Sequence, residues 1–286
     1  MKTLKPIFAR RTNGMERSAV VRTVTAFNGN GTELYEHNSR TQDVIDPSII
    51  LSTDAIEKGG VMLKKTRENK KRIEEFKVIQ VNLRRLLRKK SITNPNEGHV
   101  ILVTSPEIVK NEGFVATNLA ISICKWGKKR IIMIDGDREY QTATKRFGCE
   151  NQSGLFDAEE NPNTIDWDAI IIQTEIENFY FLPAGLRKED DPEATGIRSI
   201  TQIISEIKKW NPDSFIVVHC PSCLTNSDAI LLSEVADSTI VVVEAMKTKT
   251  NDLERAITML EDCKNLGVIM NEIPGKSYIS NRNPNT

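Results

Sequence analysis

No run of 18 apolar residues occurs anywhere in the 286-residue chain, so no segment is written to cross a bilayer as a helix. Cysteine is scarce, with five in the whole sequence. That number is ordinary for a reduced cytosolic protein and gives no disulfide framework. Histidine occurs only as His37, His99 and His219, and no G-x-S-x-G elbow is present, which leaves a serine–histidine–aspartate hydrolase without its parts. The basic residues after Met1 are not followed by an apolar stretch, which predicts no secretory leader.

Net charge is also lacking, at +0, but the balance hides an asymmetry. Residues 1–98 hold 20 Lys/Arg against 11 Asp/Glu, and the remainder holds 19 against 28. Most of the excess sits between Lys64 and Lys90, with twelve Lys/Arg and three Glu. There Ile73, Phe76, Ile79, Leu83, Leu86 and Leu87 recur at three- and four-residue steps, the signature of an amphipathic helix. Its basic face is either solvated or a surface for acidic lipid or for the acidic half of a neighbouring subunit. Nucleic acid is unsupported, because no recognition motif accompanies the charge.

The pattern divides the chain into four. Residues 1–63 read as largely disordered or irregular, with segments such as NGNGTE. Residues 64–98 are the basic helix and a linker, 99–272 the main domain, and 273–286 a flexible tail. Within the main domain, strands are expected at 99–104, 130–135, 169–173, 178–182, 215–219, 239–244 and 267–270. Helices are expected at 114–126, 140–147, 196–210, 226–235 and 251–264. This alternation predicts an α/β fold, a mostly parallel doubly wound sheet, with the basic helix as an N-terminal extension. Ligands in such folds bind at the carboxyl ends of the strands.

The strand VILVT, a turn and a helix over residues 100–120 form the setting of a phosphate-binding loop, where GxxxxGK[ST] belongs. The turn instead reads Ile108-Val109-Lys110-Asn111-Glu112-Gly113-Phe114. Glu112 stands at the lysine position and Gly113 at the hydroxyl position. Each unit-charge contact at about 4 Å and an effective dielectric near 20 is worth roughly 4 kcal/mol, so exchanging attraction for repulsion removes most of a nucleotide's grip. Lys110 is the one nearby cation.

Further along, Asp135 and Asp137 close the strand RIIMID. Their carboxylates either hold a Mg²⁺ shell or cap the next helix. FIVVHCPSC ends its strand at His219, where an ATPase places an aspartate. Imidazole suits a hard, oxygen-preferring ion poorly. Cys220 and Cys223 form a C-x-x-C with no second pair, and are read as structural, so no metal centre is expected. Asn271 either contacts a base edge or closes the last strand.

From about residue 74 to 272 the chain resembles the bacterial tyrosine kinases (BY-kinases) of exopolysaccharide synthesis, in the ParA/MinD-like branch of P-loop ATPases. The segments that carry the resemblance are VILVTSP…VATNLAISI, IIMIDGD…KRFG, NQSGLFD, FYFLPAG, DPEATG, SDAILLSEVADSTIVVVEAMKTKTNDLERAITML and LGVIMN. It implies a catalytic and metal role for Asp135 and Asp137, base contact by Asn271, and oligomer contacts at Glu74, Lys77 and Gln80, where the family has E-x-x-R-x-x-R. It implies ATP and Mg²⁺ as cofactors if the site is competent. The departures at Glu112, Gly113 and His219, and a C-terminal tyrosine cluster reduced to Tyr278, point to a catalytically impaired relative.

The expectation is therefore a cytoplasmic adaptor or regulator of exopolysaccharide or capsule assembly, reaching the inner membrane face through its basic helix. Its partner would be a membrane polysaccharide co-polymerase (chain-length protein) or an active kinase paralogue, in a homo- or hetero-oligomer. The alternatives are an active tyrosine kinase using the altered loop and a ParA/MinD-like positioning protein.

Overall fold

The computed structural model describes residues 25–27, 33–36, 50–64, 66–67, 69–88, 98–107, 112–158, 165–186 and 197–271. Its strands are β1 (Thr25–Phe27), β2 (Glu33–Glu36), β3 (Ile50–Leu51), β4 (Val100–Thr104), β5 (Ile131–Asp135), β6 (Ile172–Thr174), β7 (Phe179–Leu182), β8 (Phe215–His219), β9 (Ser238–Glu244) and β10 (Leu266–Asn271). Its helices are α1 (Thr53–Lys58), α2 (Lys70–Arg88), α3 (Glu112–Gly127), α4 (Thr142–Phe147), α5 (Leu155–Ala158), α6 (Trp167–Ile170), α7 (Ile197–Trp210), α8 (Ser227–Val235) and α9 (Thr250–Met259).

Apolar runs without alternation, such as VILVT and IIMID, are the composition of strands buried on both faces. Every residue of β4, β5 and β9 is buried. The eight-stranded sheet runs β10-β9-β4-β8-β5-β7-β6-β3. All its neighbours are parallel except β6 and β7. Successive side chains alternate faces, so Ile101, Val103, Ile131, Met133 and Val217 pack with α1–α4. Val100, Leu102, Ile132, Ile134, Ile216 and Val218 pack with residues of α5–α9. The two layers expected of a doubly wound sheet are both present.

Helix α2 lays Phe76, Leu83 and Leu87 into the first core and buries Ile73, while Lys71, Arg84 and Arg85 face outward. It starts at Lys70 rather than Lys64, because Thr66 and Asn69 exchange side-chain-to-backbone bonds that set its first turn. Helix α9 stops at Met259, short of the expected 264.

Two further departures are informative. Residues 169–173, expected as strand, split into the end of α6 and the start of β6. Asp166 accepts from the Asp168 amide at 3.1 Å and starts a helical turn that buries Trp167. Residues 50–63, grouped with an irregular segment, supply β3, α1 and the buried Leu51, Ala55, Ile56 and Val61. Strand β3 adds to β6 in parallel, and the Glu175 carboxylate accepts from the Thr53 amide at 2.9 Å and its hydroxyl at 2.6 Å. Asn118 of α3 receives the Met62 amide at 2.9 Å. Strands β1 and β2 pair antiparallel within the segment read as disordered. The linker residues 91–97 and the tail 273–286 lie outside the described residues.

The amino-terminal ends of the strands carry structural charges. The Arg130 guanidinium sits 4.3 Å from the Tyr180 ring centroid and 5.8 Å from that of Trp210. Asp237 accepts from the Val100 amide at 3.0 Å, with His99 at 3.6 Å, Lys264 at 3.3 Å and Lys208 at 3.9 Å. Burial pushes the Asp237 carboxyl up, but His99, the Val100 amide and the two lysines outweigh it and hold it well below the usual carboxylate range. A depressed folded-state value contributes stability above the unfolded value of about 3.9, lost as pH falls towards the folded value. Asp237→Asn is therefore expected to cost about 1–3 kcal/mol at neutral pH and almost nothing at low pH. Urea unfolding of both proteins across that range checks it.

Candidate functional site

The carboxyl ends of β4, β5 and β8 converge, and their last residues define the site. His219 is the register partner of Asp135 on β5 and of Val103 on β4. Asp135, Asp137 and His219 are 0%, 2% and 1% exposed, and their ligand-type atoms lie within 4.8 Å of one another.

Asp135 is saturated by protein donors. Its Oδ2 accepts from the Thr144 amide and from Thr144 Oγ1, both at 2.7 Å. Its Oδ1 lies 3.1 Å from His219 Nδ1 and 3.3 Å from the Asp137 amide. With the carboxylate ionised, His219 Nδ1 carries the proton. Thr144 Oγ1 in turn accepts from the Ala184 amide at 2.9 Å, so one chain of donors runs from β8 through β5 and α4 to the segment after β7. Gln141, in the left-handed region at φ 50°, donates from Nε2 to the Gly185 carbonyl at 3.0 Å. Asp157 Oδ2 accepts from the Gly154 and Leu186 amides at 2.8 and 3.0 Å.

Asp137 caps α4: its Oδ1 accepts from the Tyr140 amide at 2.9 Å and its Oδ2 from the Thr142 amide at 3.3 Å. Of the two roles open to these aspartates, helix capping is what the described contacts show. Two carboxylates are spent on the unpaired amides of one helix start.

Helix α3 begins at Glu112, so an acidic residue stands in the first turn of a helix end that favours anions. Gly113 is buried, and a Cβ there would come 2.9 Å from Thr142 Oγ1. That hydroxyl is itself buried without a hydrogen-bond partner. The space of the expected loop hydroxyl is thus filled from α4. Phe114 packs edge-on against Phe76 at 6.3 Å, on the core side of α3. Lys110 and Asn111 lie outside the described residues.

The other candidates lie apart. Asn271 ends β10, an edge strand separated from β4 by β9, and its carbonyl accepts from the Ala245 amide at 3.0 Å. Glu74 and Lys77 pair with each other at 2.8 Å on α2. Gln80 is 6% exposed and turns towards Gly127, which withdraws it from an outward-facing contact set. The residues that sequence reasoning missed are Thr142, Thr144 and Gln141. Their one signal was polar density directly after Asp135 and Asp137, at the start of the helix expected over 140–147, where such residues serve equally well as solvated helix positions.

Mg²⁺ with a nucleotide does not fit these residues. The ion demands near-octahedral oxygen coordination. Both oxygens of Asp135 are taken, the third group is an imidazole, and the phosphate end of α3 carries a glutamate.

No family model matches the chain. Among curated proteins, it is 28% identical to CapB of Staphylococcus aureus over 181 residues, covering 63% of this chain and 77% of CapB. It is 24% identical over 213 residues to the tyrosine-protein kinase CpsD of Streptococcus agalactiae serotype III, covering 73% and 86%. The fold matches the chimerical protein CapA2B2 with a TM-score of 0.57 at 24% identity, over 70% of this chain and 84% of that one. It matches the kinase domain of Escherichia coli tyrosine kinase ETK with a TM-score of 0.59 at 17% identity, over 70% and 75%. A MinC:MinD complex from Aquifex aeolicus aligns at a TM-score of 0.50. The architecture is thus the mostly parallel α/β sheet shared with these structures. In sequence, the chain is similar to bacterial tyrosine-protein kinases.

The C-x-x-C segment is a brace. The Cys220 amide donates to the Val103 carbonyl at 3.0 Å, the Cys223 amide to the Ser105 carbonyl at 2.9 Å, and Ser222 Oγ to the Pro106 carbonyl at 2.6 Å. None of the five cysteines is in a disulfide, and only Cys263 is even partly exposed. Burial pushes the Cys124 thiol up to about 11 and the Cys149 thiol up to about 12. A maleimide at neutral pH is therefore expected to label Cys263 alone in the folded protein, and all five cysteines after denaturation, as read by mass spectrometry.

Proposed function

We propose that this chain is a catalytically impaired relative of the bacterial tyrosine kinases, acting as a cytoplasmic adaptor or regulator in exopolysaccharide or capsule assembly and export. One observation carries the reading: α3 opens on Glu112, so an acidic residue stands in the sequence where a phosphate-gripping lysine belongs. The intact sheet and both packed layers support a retained scaffold with a changed task. The partner is a membrane polysaccharide co-polymerase or an active kinase paralogue.

The basic helix would meet such a partner, or the inner membrane face, by charge. Its apolar residues Ile73, Phe76, Leu83 and Leu87 are committed to the core, and among its described side chains Val78 and Val81 are the exposed large apolar ones. No helix among the described residues is long and apolar enough to cross a membrane. Glu74 and Lys77, paired with each other on α2, would belong to the proposed oligomer contact.

Calorimetric titration with Mg-ATP and Mg-ADP tests the reading. The native protein is expected to give no binding heat. Glu112→Lys alone is expected to give none or only weak heat, because Gly113 and His219 remain. Micromolar binding by the native protein would overturn the proposal in favour of an active kinase using Lys110, and phosphotyrosine formation would then be the next readout.

A further inference from the structure

A divalent cation beside the aspartate that closes β5 is what the family resemblance implies, and the residues present do not fit one. A carboxylate offers about four lone-pair directions. Those of Asp135 meet four protein donors: the Thr144 amide, Thr144 Oγ1, the Asp137 amide and His219 Nδ1. Three of the four belong to the β5–α4 connection and the first turn of α4. The fourth, His219, comes from another strand, at a position where an acidic residue would bring repulsion instead of a bond.

We propose that the His219 ring takes the place of the cation: its Nδ1–H closes Asp135, so the site holds its shape with no metal, and His219 alone decides whether a metal is needed. This rests on the reading of the site as nucleotide-independent and says how that independence is achieved. His219 is a positioning residue. Through Asp135 and Thr144 it fixes the Ala184 amide, and with Gln141 on Gly185 it sets the segment after β7. The register pairing of Asp135 with His219 makes the contact a property of the sheet itself.

The proposal makes an unusual demand of one substitution. His219→Asp would leave three buried carboxylates facing one another, which a bound cation reconciles wherever they remain ionised. The probe is Mn²⁺, followed by electron paramagnetic resonance of the free ion and by thermal melting. The native protein is expected to take up no Mn²⁺ and to melt at one temperature with or without it. His219→Asp is expected to melt roughly 10 °C lower without metal, to take up Mn²⁺, and to recover most of the loss. His219→Asn is expected to melt lower with no recovery, a split that a merely structural histidine would not produce.

Mn²⁺ uptake by the native protein, abolished in Asp135→Asn, would overturn the proposal. So would a His219→Asp protein as stable as the native one without metal, or equal recovery of His219→Asn by Mn²⁺. If His219→Asp does not fold, the native uptake and the His219→Asn recovery decide. Mn²⁺ uptake without nucleotide heat would sink this inference and leave the adaptor reading intact. Metal-free binding of ADP would do the reverse.

Discussion

The buried carboxylate of Asp135 is the constraint around which the site is organised. An unpaired charge at 0% exposure would cost several kcal/mol, so every element near it is placed to donate. Strand β8 presents His219, the turn after β5 folds its own amide back, and α4 begins where its first-turn groups can reach. Because Thr144 Oγ1 both gives to Asp135 and receives from Ala184, the carboxylate also sets the course of the chain leaving β7. The carboxylate thereby fastens β5 to β8, to α4 and to the segment after β7.

The phosphate side tells the same story by a different route. Gly113 removes a side chain, and Thr142 of α4 fills the space. Glu112 puts an acidic residue at the helix start. Both features meet where α3 packs against α4, beside strands that keep their register.

The sheet was legible because burial on both faces forces uninterrupted apolar runs. VILVT, IIMID, FIVVH and STIVVVE read as strands to within one residue of their bounds. The exceptions had local causes. A capping Asp166 turned part of an apolar run into helix, and the two-residue strand β3 is too short to show any period. Within the site, Asp135, Asp137 and His219 stood out by position at strand ends. Their contacts did not, because a carboxylate that caps and one that binds metal look alike until Thr144 and Tyr140 are seen to claim the oxygens. Gln80 shows the same limit: the resemblance implied an oligomer contact there, but the packing of α2 on α3 leaves it buried.

The clasp of the N-terminal arm has a consequence for biosynthesis. Thr53 bonds to Glu175, 122 residues further on, and β3 has no partner until β6 exists. Residues 50–88 leave the ribosome early, yet the surfaces that bury Leu51, Ile56 and Phe76 are made much later. Folding therefore cannot proceed strictly in the order of synthesis. Residues 50–58 thus keep part of their apolar face uncovered until β6 and the helices beside it have been made.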